Sequence, residues 1–145
     1  MLKKIAQRLT SNQKKFIAEV IGMFIVVVFA TGSIVIDAKL KGALGIPFIA
    51  FAPFVAVAIG VYLFGKISMA HFNPAVTLSF LITKHITKIQ LVYYLASEII
   101  GALFGSLFVK CIIGNEANLG ANAPNYAFPT AIVFGTEVIA TALLM

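Results

Sequence analysis

Tryptophan is absent from this chain of 145 residues, cysteine occurs once, and aspartate and glutamate together number five. A lone Cys111 excludes any disulfide within the chain and reads as a small apolar packing residue. No Asn-X-Ser/Thr acceptor with a permissible middle residue occurs, so no N-glycan site is implied. Metal-ligand spacing, a phosphate-cradling loop and a nucleophile beside a positioned base are missing too. An enzyme would have to be assembled from His71, His85 and five scattered carboxylates. The chain is therefore expected to be no enzyme, with no catalytic residues, no cofactor and no metal site.

Charge of either sign is scarce: 11% of the residues are charged and 61% are hydrophobic. Soluble domains carry roughly 45 to 50% apolar residues, so the composition predicts an all-α integral membrane protein with the lipid bilayer as its solvent. The net charge of +6 does not imply a nucleic-acid partner. Five basic residues, Lys3, Lys4, Arg8, Lys14 and Lys15, precede the first apolar stretch, and the preference for positive charge on the inner face explains them. That places residues 1–15 in the cytoplasm and the chain in the cytoplasmic membrane. Leu2, Ile5 and Leu9 lie at helical spacing among these charges. A basic helix resting on the anionic leaflet and a solvated tail both fit. A cleaved signal peptide does not, because the apolar run is too long and holds Glu19.

Spans are predicted over Phe16 to Val35, Pro47 to Phe64 with an exit at Gly65 and Lys66, Ile89 to Ile113, and from Thr130 onward. Polar connections lie at Asp37 to Gly42 and at 114–129, the latter outside the cell. The uncharged stretch Ile67 to Thr83 is either a short span or a segment that dips in and returns. If it returns, the inner face holds the five N-terminal charges with Lys66, Lys84 and Lys88, against Lys39, Lys41 and Lys110 outside. If it spans, the bias shrinks and Lys84 and Lys88 fall on the outer face, which favours the re-entrant reading. Length agrees: Pro74 to Thr83 is about 15 Å of helix, half of a hydrocarbon core of roughly 30 Å. Within it, His71-Phe72-Asn73-Pro74-Ala75-Val76-Thr77 puts an Asn-Pro helix start at membrane depth, and irregular backbone survives there only when buried in protein or lining a water-filled cavity. The rival reading is a kink in a spanning helix.

Phe16-Ile17-Ala18-Glu19-Val20-Ile21 aligns without gaps on Phe134-Gly135-Thr136-Glu137-Val138-Ile139, each placing a glutamate early in an apolar span. A first unit that crosses three times makes a second copy start on the opposite face, which is an inverted repeat of the kind transport proteins use.

The segment 71–77, preceded by Gly65, Ile67, Ser68 and Ala70, resembles the first signature loop of the major intrinsic proteins, the aquaporins and glycerol facilitators. The resemblance extends to Ala18-Glu19, to Ser97-Glu98-Ile99-Ile100-Gly101-Ala102 and to Glu137. It implies a right-handed helical bundle with inverted repeats and a re-entrant half-helix 74–83. Residues 16–113 would form the first repeat and 130–145 the start of a second, the remainder lying outside this sequence. It implies a passive channel for water and small neutral solutes such as glycerol, closed to protons and ions, assembled as a homotetramer.

By the same resemblance Asn73, Pro74 and Ala75 form the pore motif, with Asn73 donating to a passing water. The carbonyls of Met69, Ala70, His71 and Phe72 line the lumen, and His71 acts through its backbone. Glu19 and Glu137 hold re-entrant loops by accepting their amides. Val26 and Val57 are assigned to the apolar pore wall, ordinary packing being the alternative. Gly101 and Gly105 form a Gly-x-x-x-Gly pair for close helix packing. Two departures bear on the solute: Pro53, beside Phe54, stands where the family usually has an aromatic at the outer filter, and Met69 stands where it generally has glycine. Either Phe54 turns inward or the constriction is wider. Two other classes stay open, a truncated fragment that conducts nothing and a coupled transporter, which would need ionisable groups at its substrate site.

Overall fold

The protein, seen in a computed structural model, is described over residues 9–124 and 126–144. The basic residues Lys3, Lys4 and Arg8, with Leu2 and Ile5, lie outside the described residues. The elements in order are α1 (Ser11–Lys39), α2 (Gly45–Ser68), α3 (Pro74–Ile82), α4 (Lys88–Phe108) continued by a π-helical turn (Val109–Ile113), a short left-handed turn α5 (Glu116–Gly120), and α6 (Thr130–Leu144). Three helices are long and apolar enough to cross a membrane: Ser11–Lys39, Gly45–Ser68 and Lys88–Ile113.

Several boundaries depart from the apolar runs because capping groups, and not hydrocarbon thickness, end a helix. α1 begins five residues before Phe16, where the Thr10 hydroxyl accepts from Gln13 N at 3.3 Å and the Gln13 side chain accepts from Thr10 N at 2.9 Å. Thr87 and Gln90 repeat this box at the start of α4. At the other end of α1, Asp37 belongs to the helix and not to the connection. Its carboxylate accepts from Leu44 N and Gly45 N at 2.9 and 2.8 Å, supplying orphan amides of α2 with a partner. α2 runs through the expected Gly65-Lys66 exit to Ser68, closed by Met69 in the left-handed conformation. α3 ends at Ile82 with Thr83 as its cap. Cys111, expected in the packing, is exposed in the π-helical turn, because it lies two residues past Val109, which faces α1, and so falls on the opposite side of the helix.

Small residues set the helix crossings. A β-carbon on Gly101 would stand 2.6 Å from the Val20 carbonyl oxygen, and one on Gly105 would stand 3.0 Å from Val27 Cβ. Gly32 meets Val109 and Ile113 in the same way. Contact positions on α1 and α4 thus rise together, from 20 with 101 to 32 with 113, so the two helices are parallel. α2 is antiparallel to both. The chain between Ser68 and Lys88 therefore enters and leaves at the same end of the bundle, and α3 rests against α4. At the opposite end α5 lies on α1, Lys39 pairs with Glu116 at 3.8 Å, and the Lys39 ammonium donates to the Ile113 carbonyl. None of the described residues of α6 is buried.

Candidate pore-lining site

The irregular segment 69–73 is backbone that cannot satisfy itself. Met69, Ala70 and Phe72 all have positive φ, at 68°, 52° and 46°. No hydrogen bond reaches the carbonyls of residues 69–72 among the described residues, so all four remain as acceptors. The amides on the opposite edge are held firmly. Glu19, 0% exposed, accepts from His71 N at 3.0 Å through Oε1 and from Phe72 N at 2.8 Å through Oε2. A buried carboxylate with two amide donors fixes which way this segment faces.

Asn73 sits at the N-cap of α3 with extended backbone, and its Oδ1 accepts from Ala75 N at 2.8 Å. Pro74 takes the first helical position, where a missing N–H loses nothing. With its oxygen engaged, the Asn73 side chain has only its amide hydrogens to offer, and they have no protein partner among the described residues.

Asn73 lines a cavity of about 220 Å³ together with Ala70, His71, Phe72, Val26 and Val57. Val61, Val76, Phe80 and Leu144 complete its wall. The cavity thus joins one donor and a strip of backbone to a largely apolar face. Met69 is not part of the lining and is 38% exposed. Pro53, half-buried within α2, and Phe54, which is 65% exposed and paired with Phe51, also lie outside the lining. Glu137 is exposed on α6 and holds no loop among the described residues. Gly101 and Gly105 lie at the α1–α4 crossing.

A second buried carboxylate stands beneath α3. Glu98, 1% exposed, accepts from the Thr77 hydroxyl at 2.5 Å, and Thr77 Oγ1 lies 2.9 Å from His71 Nδ1. The His71 ring is stacked 4.2 Å from Tyr94, whose hydroxyl donates to the Ser68 carbonyl. His71 therefore contributes its imidazole as well as its backbone. The sequence carried a signal for this network, since Thr77 and Glu98 both fall in apolar helices, but their pairing is a tertiary fact.

The family model described as Major intrinsic protein matches residues 6–145. The chain belongs to the major intrinsic protein family. Among curated relatives, the probable aquaporin AqpM of Archaeoglobus fulgidus is 35% identical, over 91% of this chain and 62% of its own length. The glycerol uptake facilitator protein-like 6 of Lactiplantibacillus plantarum is 32% identical over 91% of this chain and 60% of its length. Nodulin-26 of Glycine max is 30% identical, again over 91% of this chain. The chain spans about three fifths of the length of the first two relatives. As a member of this family with several apolar spans, it is a multi-pass membrane protein.

Proposed function

We propose that these residues form one half of a passive pore for water and small neutral solutes. The observation that carries this reading is one cavity shared by Asn73, whose amide hydrogens are free, by residues 70–72, whose carbonyls are unpaired, and by the apolar side chains of Val26, Val57 and Val61. A solute crossing such a lumen exchanges hydration for a donor and acceptors, while apolar surface opposite offers it nothing to hold. The positive end of the α3 dipole points at the same place and repels cations. Glu19 and Glu98 do not serve as solute-binding charges in this reading, because neither lines the cavity, Glu19 is engaged through both oxygens by amides, and Glu98 holds the Thr77 hydroxyl.

Glu137 would hold a second such loop, as Glu19 holds the first, and that loop would supply the facing donor. Met69, outside the lining, would contribute at the pore mouth. Neither Pro53 nor Phe54 lines this cavity, and a constriction built without them would extend the reading to glycerol-sized solutes. Residues 1–15 and Lys66, Lys84 and Lys88 would face the cytoplasm and 114–129 the exterior, with four copies each carrying a pore.

Stopped-flow swelling of vesicles containing the complete natural polypeptide tests this. Rapid swelling with a low activation energy is expected, falling to nearly the empty-vesicle rate in Asn73→Asp, where a charged acceptor replaces the donor. Wild-type swelling no faster than that of empty vesicles would sink the proposal.

A further inference from the structure

Glu19 explains which way the segment 69–73 faces, but two hydrogen bonds to one carboxylate do not set how deep the segment sits. The side chain of Phe72 does. The residue is 5% exposed although it belongs to a loop, and it has φ 46°, a conformation uncommon among non-glycine residues. Opposite edges of the ring touch two different helices at positions without a side chain. A β-carbon on Gly22 of α1 would stand 1.9 Å from Phe72 Cε1 and 2.6 Å from Cδ1, whereas one on Gly60 of α2 would stand 2.7 Å from Cε2. Phe64 closes a third side, with ring centroids 6.3 Å apart and planes at 87°.

We infer that Phe72 is the positioning residue of the pore motif: its ring, wedged between Gly22 and Gly60, fixes the depth of Asn73 in the bundle. The inference deepens the channel reading above and rests on it for its functional meaning. The physical reason is the contrast between directional and steric restraint. Hydrogen bonds to Glu19 tolerate sliding of some tenths of an ångström, but a ring held at both edges cannot move toward either helix without overlap. Moving out along the open direction would drag the Phe72 amide off Glu19 Oε2 and displace the adjoining Asn73 N-cap. Neither Gly22 nor Gly60 has a positive φ, so the missing side chains are required by the ring and not by the helix backbone.

The test pairs hydrogen exchange with flux, using the full natural polypeptide in lipid vesicles. Gly22→Ala and Gly60→Ala are each expected to speed exchange of the His71 and Phe72 amides roughly tenfold or more, as overpacking by one methyl unseats the loop. Adding Phe72→Leu to Gly60→Ala makes room for the methyl and should return exchange to near the wild-type rate, with water flux recovering in parallel. Recovery in the double variant is the outcome that a merely damaged fold would not give. Wild-type exchange rates in both alanine variants, or no recovery in the double variant, would overturn the inference. Wild-type vesicles that fail to swell would count against the channel reading alone, because the exchange result is read without any flux.

Discussion

Met69, Ala70 and Phe72 lack the usual licence of glycine, yet all three occupy left-handed backbone between α2 and α3. For an L-residue that conformation costs roughly 1 to 2 kcal/mol, so the loop stores strain that Glu19 and the Phe72 seat must offset. The three differ in what they gain. Phe72 is held at both ring edges and Ala70 lines the cavity, but Met69 is 38% exposed and outside the lining. Met69→Gly is therefore expected to stabilise the protein by about 1 kcal/mol, reduced by the larger chain entropy of glycine when unfolded. A thermal melt in detergent reads this as a higher midpoint, and a lower one would show that the thioether packs. Legibility at this scale was uneven for a physical reason. Asn73 before Pro74 marks a helix start because both residues act through local geometry, so a single sequence reveals it. The seat of Phe72 depends on Gly60 and Gly22, 12 and 50 positions away, and the Thr77 hydroxyl reaches Glu98, 21 positions on; no local pattern encodes such distances. The resemblance places Pro53 and Phe54 only by their position along the sequence, which does not say which way that face of α2 points.

Between elements, the governing contact is the crossing of α1 over α4. Gly101 meets backbone there: its added β-carbon would lie 2.6 Å from the Val20 carbonyl oxygen, 2.9 Å from Met23 Cβ and 3.2 Å from Phe24 N. Backbone atoms cannot rotate aside as a side chain can, so Gly101→Ala must separate the helices. A loss of about 1 to 3 kcal/mol is expected from that overpacking. Gly135 of α6 is the control, because nothing lies within 4 Å of its added β-carbon. Gly135→Ala should leave the melting midpoint unchanged or raise it slightly through helix propensity. Equal midpoints for Gly101→Ala and wild type would mean that the crossing is looser than its geometry. The Gly-x-x-x-Gly spacing was readable in the sequence because close approach of helices in lipid needs small residues at that period. The length of each helix was less readable. Apolar residues report the thickness of the membrane, whereas the Thr10 and Thr87 boxes and the left-handed Met69 report where hydrogen bonding stops.

For the whole molecule, the parallel course of α1 and α4 is the fact with the widest consequence. Two long helices that run the same way, with one antiparallel helix between them, require the segment 69–87 to leave by the end it entered. Each lysine among the described residues is thereby assigned an end: Lys66, Lys84 and Lys88 share one with Lys14 and Lys15, and Lys39, Lys41 and Lys110 share the other. The sequence weighs this through a charge bias of eight against three and the short length of 74–83, since a stretch of uncharged residues carries no direction of its own. An impermeant amine reagent applied to right-side-out vesicles should label Lys39 and Lys41, which are exposed at their end, and spare Lys66, Lys84 and Lys88 until the vesicles are opened. A half-helix that crossed the bilayer would instead bring Lys84 and Lys88 into the group labelled from outside. A chain inserted the other way round would exchange the two groups whole, leaving their membership intact. The grouping therefore tests the re-entrant fold, and the side on which each group is labelled tests whether the basic N-terminus faces the cytoplasm.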